Sequence, residues 1–290
     1  MTNPTPQPSF IRLPDGRQLA YAEYGDPQGK PVIYFHGNPS SRLEPLMFGS
    51  HLDQAAGLRV IAADRPGMGR SDFQPGRKLT GWPADVCALA DSLHLDRFAV
   101  LGISAGGPYV SVCARMIPER LTVAGILSGV GPMNTPGGTK GMGMGRYYFR
   151  GAAIHPWLAE LFVRMMRSSM SGTPRSGGGA PPGMPPADIE ALAQPELGKA
   201  FLASAVEAWS CGARGTAWDA TLLARPWGFN LTDIQMPVYL WHGEADTNAP
   251  VAMGRFVAQS IPDCRAKFYP NEGHISVGVR YMDEILSVLK

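Results

Sequence analysis

Six short strand-like runs recur along the chain, several of them almost continuously apolar: 31–37 (PVIYFHG), 59–64 (RVIAAD), 98–104 (FAVLGIS), 123–129 (VAGILSG), 237–243 (PVYLWHG) and 264–269 (CRAKFY). Continuous apolar runs of this length are how strands covered on both faces of a parallel sheet read, whereas a one-sided sheet alternates. Amphipathic stretches at 81–95, 108–117 and 249–261 lie between or after them and are long enough for crossover helices. Upstream, 10–13 and 18–24 flank the turn signal Pro14-Asp15-Gly16, which predicts an antiparallel hairpin at the sheet edge. The alternation stops after Gly131. Residues 133–235 contain no clear buried strand but have helical stretches around 151–170 and 195–214, so the pattern predicts an α/β core, 1–132 and 236–290, interrupted by a mostly helical insert. Within the insert, 171–186 (SGTPRSGGGAPPGMPP) can propagate neither helix nor strand and is expected to be a loop. The glycine-rich stretch 137–145 is a candidate hinge.

Composition sharpens this picture. The 290 residues include 35 glycines and 27 prolines, with 44% apolar and only 17% charged residues, so a large core and many tight turns are expected. A net charge of +2 with no basic stripe excludes a phosphate-tracking surface, and nucleic acid is not an expected partner. The first ten residues lack a secretory pattern, and no run of about 18 apolar residues could span a bilayer, so a cytoplasmic protein is expected. Cys87, Cys113, Cys211 and Cys264 show no CxxC spacing; they read as reduced and mostly buried, not as a zinc site or disulfide framework.

Chemistry enters at Gly102-Ile103-Ser104-Ala105-Gly106, a G-x-S-x-G motif between an apolar strand and a helical stretch. A sharp strand-to-helix turn needs the flanking glycines and projects the serine hydroxyl above the sheet, with a helix N-terminus behind it. A serine hydroxyl is a weak nucleophile near neutral pH and needs a base with an orienting acid. Of the six histidines, His274 alone stands in a loop just past the last strand. His242 and His36 read as structural, and His51, His94 and His155 as solvated or packing residues. Glu244 and Asp246 both follow a strand end; Asp246 is preferred because it stands further out in the turn. Two backbone donors should face the developing oxyanion: Ala105 N–H, directly after the serine, and Asn38 N–H, in the loop His36-Gly37-Asn38-Pro39. The 64–72 segment (DRPGMGRSD) reads as a turn held by its own Asp and Arg side chains. It lacks the pattern of a phosphate loop, and no cluster has metal-ligand spacing, so neither cofactor nor metal is expected.

Taken in order, the H-G-x-P loop, the 64–72 segment, the nucleophile elbow, His242-Gly243-Glu244-Ala245-Asp246 and Gly273-His274 resemble the α/β-hydrolase superfamily. The resemblance covers roughly residues 8–132 and 232–290. It implies an eight-stranded, mostly parallel sheet flanked by helices, with a helical cap inserted after the sixth strand. Within the cap, 212–219 (GARGTAWD) and 226–229 (PWGF) look like a large subgroup of unassigned substrate. Relatives that open epoxides or displace halides use an aspartate nucleophile, and proline iminopeptidases usually place Trp after the serine; Ser104 and Ala105 disfavour both. The expected activity is hydrolysis of a small, largely apolar carboxylic ester through Ser104, His274 and Asp246. Lactone, thioester, amide or C–C bond hydrolysis and cofactor-free perhydrolysis share that machinery. A receptor-like binding protein with little turnover is the alternative of another class. Met142, Met144, Tyr147, Tyr148, Phe149, Trp157, Phe162, Met165 and Met166 are expected to give the cap an apolar pocket wall; the sequence leaves the oligomeric state open.

Overall fold

A computed structural model describes residues 6–54, 57–135, 138–171 and 183–290. Eight strands form one sheet: β1 (Ser9–Arg12), β2 (Gln18–Gly25), β3 (Lys30–Phe35), β4 (Leu58–Ala63), β5 (Phe98–Ile103), β6 (Leu121–Leu127), β7 (Val238–Gly243) and β8 (Cys264–Tyr269), in the spatial order β1-β2-β4-β3-β5-β6-β7-β8. From β4 to β8 every pairing is parallel. The expected hairpin is β1–β2, and β2 also pairs antiparallel with β4, which the sequence pattern did not indicate. Each apolar run lies within about two residues of an observed strand.

The helices are α1 (Gly49–Gln54), α2 (Trp82–Ser92), α3 (Gly107–Met116), α4 (Gly145–Ile154), α5 (Pro156–Ser171), α6 (Pro186–Leu192), α7 (Pro195–Ala208), α8 (Arg214–Ala224), α9 (Val251–Ser260) and α10 (Ser276–Leu289). Side chains alternate across a strand, so each central strand feeds two cores. Ile33 and Phe35 of β3 belong to one core with Val86 and Leu89 of α2, Val110 of α3 and Val257 of α9. Val32 and Tyr34, on the other face, pack with Leu52 of α1 and Ile285 and Leu286 of α10. Burial on both faces explains why the strands read as continuous apolar runs.

Helices α4–α8 occupy the chain between β6 and β7. The helix expected over 151–170 is two helices, because the residue before a proline avoids the helical region: His155, preceding Pro156, is extended at φ −152°. The stretch expected over 195–214 ends at Ala208, and Arg214 opens α8; α6 and α10 were not anticipated. Most of the loop expected at 171–186, namely 172–182, lies outside the described residues, as does 137 of the suggested hinge; α6 starts inside that loop at Pro186. Only Cys113 of the four free cysteines is buried, and Cys211 is exposed, contrary to the expectation of mostly buried thiols. A single thiol carries no periodic pattern that would report its burial.

The insert is fastened to the sheet by Asp219 of α8, which is fully buried. Its carboxylate accepts hydrogen bonds from Arg65 Nε (3.1 Å) and Nη2 (2.9 Å), Arg77 Nη2 (2.8 Å), Tyr109 Oη (2.5 Å) and Asn38 Nδ2 (2.9 Å). Burial alone would raise its pKa, but the two guanidiniums hold it far below the usual carboxylate range. Arg65 also donates to the carbonyls of His36 and Gly37. The 64–72 segment therefore does more than close its own turn: Asp64 holds Arg42 and the Arg70 N–H, while Arg65 joins the 36–38 loop to the insert.

Because the folded pKa of Asp219 is depressed, its stabilisation is complete above about pH 4 and is lost progressively as pH falls from there through the folded value. Asp219→Asn leaves two buried guanidiniums without their counter-charge and should cost about 3–5 kcal/mol in urea unfolding at pH 7. A loss below about 1 kcal/mol would mean that the cluster behaves like an exposed ion pair.

Candidate active site

Ser104 stands where β5 ends and a single helical turn leads into α3. Its φ of +55° is unusual for a residue with a side chain, and it is imposed by the surroundings. A Cβ on Gly102 would sit 2.4 Å from the Gly106 carbonyl oxygen, and one on Gly106 would sit 2.1 Å from that of Phe35. Gly102 is thus dictated by the backbone of the turn at Gly106, and Gly106 by that of β3, which fixes the spacing of the motif. The Gly37 loop lies alongside: a Cβ there would be 3.5 Å from Ser104 Cβ.

His274 follows β8 and donates from Nδ1 to Asp246 Oδ2 at 2.7 Å, which leaves its Nε2 as the free ring nitrogen. Asp246 is nearly inaccessible, and its Oδ1 accepts the N–H groups of Asn248 and Ala249, both at 2.8 Å. The carboxylate is therefore locked by the turn after β7, with one oxygen turned to the histidine. Burial by itself would lower the His274 pKa, but the charge and hydrogen bond of Asp246, with smaller contributions from Asp188 and Glu44, raise it above the ordinary histidine value. Glu244 instead pairs with Arg255 at the surface.

The other histidines are held elsewhere. His36 is buried between the Gly37 carbonyl, 2.8 Å from Nδ1, and the Arg65 N–H, 3.2 Å from Nε2. His242 donates from Nε2 to the Ala249 carbonyl at 2.7 Å. Burial lowers the pKa of both. His51, His94 and His155 do not line the cavity.

Ala105 lies in the first turn after the strand, where backbone N–H groups have no intrahelical partner. The Gly37 N–H is taken by the Glu44 carboxylate at 3.0 and 3.2 Å, while the Asn38 N–H has no acceptor among the described residues. The Asn38 side chain is tied to Thr216 O and Asp219, and the Asn38–Pro39 peptide is cis. Ser104, Ala105, His274 and Asn38 line one cavity of about 530 Å³. Sequence reasoning missed Glu44, a buried carboxylate that also lines this cavity and accepts the Tyr34 hydroxyl at 2.8 Å. A lone Glu opening a short 3-10 turn carries no motif that would single it out.

The cavity wall is mostly apolar. Of the nine insert residues expected there, Met142, Met144, Tyr148, Phe149, Phe162 and Met166 line it. Tyr147, Trp157 and Met165 do not, and are exposed. Helical geometry gives the reason: Phe162, Val163 and Met166 share one face of α5, while Trp157, Leu161 and Met165 share the other. Among the described residues, no group of three or more His, Cys, Asp or Glu could hold a metal ion, and no helix is long and apolar enough to cross a membrane.

Comparison with known proteins agrees with this architecture. The alpha/beta hydrolase family profile matches residues 32–287. The chain is 34% identical over 176 residues to a non-heme chloroperoxidase of Streptomyces lividans, covering 58% of this chain and 62% of that one. It is 26% identical to a non-heme haloperoxidase of Rhodococcus erythropolis, over 91% of this chain and 92% of that one. Among solved structures, the esterase RhEst1 from Rhodococcus sp. ECU1013 superposes with a TM-score of 0.70 at 21% identity, covering 99% of this chain and 100% of that one. An enol-lactonase from Burkholderia xenovorans LB400 gives 0.71 at 18% identity, over 97% of each chain. With a family match that runs from β3 into α10, and the sheet order and strand-end residues described above, this chain, which spans 62% of the chloroperoxidase it matches, belongs to the alpha/beta hydrolase family.

Proposed function

We propose that the chain is a serine hydrolase of small, largely apolar carboxylic esters, working through Ser104, His274 and Asp246, with residues 133–235 as the cap over its acyl pocket. The observation that carries this reading is the Asp246–His274 pair and the strained Ser104 opening onto one apolar cavity. His274 Nε2 takes the Ser104 proton as Oγ attacks the ester carbonyl, and the imidazolium then protonates the departing alcohol. The Ala105 and Asn38 N–H groups receive the oxyanion, each worth about 3–4 kcal/mol in the transition state. Asp246 holds the tautomer and offsets the imidazolium charge. Water, deprotonated by His274, then cleaves the acyl-enzyme and releases the acid.

The relatives named as haloperoxidases favour one second reading on the same site. Hydrogen peroxide would replace water in the second step, its terminal oxygen bonding to the acyl carbon as Ser104 leaves, to give a peroxy acid. Peroxy acid formation from an aryl ester and peroxide, scored against acid formation, separates the two. Relatives named proline iminopeptidase match 39% of this chain, and Ala105 directly after the serine disfavours their activity.

A fluorophosphonate should add to the intact protein in a Ser104-dependent manner. Ser104→Ala and His274→Ala should each lose about three or more orders of magnitude in aryl-ester turnover, with little further loss in the double variant. Additive losses, or an adduct that survives Ser104→Ala, would sink the assignment.

The base must be neutral to accept a proton. Since the His274 pKa is raised, kcat/KM should climb with pH through a limb whose midpoint lies above the ordinary 6.5. A midpoint below that value would contradict the arrangement of carboxylates around the ring. Neutral acyl and aryl esters should outpace charged ones of equal size in kcat/KM, and equal rates would contradict an apolar pocket.

A further inference from the structure

We propose that Asp188, carried by the insert on α6, is a positioning residue for His274: its carboxylate holds the backbone at the start of α10 and so fixes where the histidine ring stands. The inference rests on the Ser104, His274 and Asp246 reading above.

Asp188 is 2% exposed, and its carboxylate accepts three backbone N–H groups in succession. Oδ2 takes that of His274 at 2.8 Å, and Oδ1 takes those of Ile275 and Ser276 at 2.9 Å each. Helix starts leave N–H groups unpaired, and the residue at the cap position commonly satisfies one with its own side chain. Here that residue is Ile275, which has no acceptor, and the cap is supplied from 86 residues earlier in the chain. The approach requires a glycine before the histidine, since a Cβ on Gly273 would lie 2.3 Å from the Asp188 carboxylate. Two more contacts seat α6 on this loop. Arg280 bridges Glu190 of α6 at 2.7 Å and Glu272 of the histidine loop at 2.8 Å, and Ile275 packs with Ala191 and Leu197.

His274 is thus gripped from two directions. Asp246, on the sheet, holds the ring at Nδ1, and Asp188, on the insert, holds the main chain. Movement of α6 away from the sheet would release the backbone that aims Nε2, so a docked insert becomes a condition for proton transfer. The charged and titratable groups that bear on the ring are Asp246, Asp188 and Glu44, with His242 on the far side of Asp246.

Asp188→Asn keeps the shape but leaves one acceptor oxygen, and its amide nitrogen opposes an N–H. In ester turnover its kcat should fall roughly 100-fold, the scale of a displaced catalytic group, with KM little changed. The pH limb should also move down, because a negative charge facing His274 is gone. Gly273→Ala crowds the carboxylate without removing its charge and should lower kcat with a smaller displacement of the limb. Folded Asp188→Asn with wild-type kcat and limb, and only a lower melting temperature, would reduce Asp188 to a helix cap. If that variant does not fold, Gly273→Ala with wild-type kcat overturns the inference. Rapid hydrogen exchange at the His274, Ile275 and Ser276 amides of the wild type overturns it without any variant. Wild type that takes no fluorophosphonate at Ser104 would defeat the triad reading instead, whereas labelled wild type with indifferent variants defeats only this inference.

Discussion

One buried carboxylate holds the architecture together. Asp219, itself fully buried, gathers two guanidiniums, a phenol and an amide into one cluster, and its partners come from three places: the loop after β3, the segments after β4, and α3. Burying such charges is costly, and breaking the set is costlier than never having formed it. What the cluster confers is geometry. Arg65 clamps the His36 and Gly37 carbonyls while Asn38 is tied to Asp219 itself, so the loop that presents the Asn38 N–H takes its shape from the same ions that dock the insert.

A second constraint is steric. Ser104 occupies a left-handed conformation because Gly102 and Gly106 let β5, the turn and β3 approach more closely than any side chain would allow. The sheet thus supplies the polar groups at its strand ends, while the insert supplies much of the apolar wall, including Tyr148, Phe162 and Met166. Desolvation of that cavity strengthens each hydrogen bond made inside it.

The sequence foretold what short-range pattern can encode. Strands buried on both faces were visible as apolar runs, and Ser104 and His274 as strand-end residues that the fold brings to one cavity, with Asp246 hydrogen-bonded to the histidine ring. Pro156 signalled the break between α4 and α5, although a continuous apolar periodicity masked it. Asp188, Asp219 and Glu44 were not legible. Each acts through partners remote in sequence or through backbone groups, and neither kind of partner leaves a local signature. The exposed side chains of Trp157 and Met165 were misread as pocket wall because composition cannot tell which face of a helix points inward.

The division of labour between sheet and insert limits how such a protein can be remodelled. Phe162 and Val163, on the inner face of α5, enter the cavity as apolar wall, so drift there can reshape the pocket. Helices α6 and α8 have no such freedom, since each carries a carboxylate that closes a hydrogen-bond set with loops at the strand ends. An insert transplanted from a relative would therefore have to bring acids at both points, or the recipient would gain a new pocket while losing its grip on the loops around Ser104.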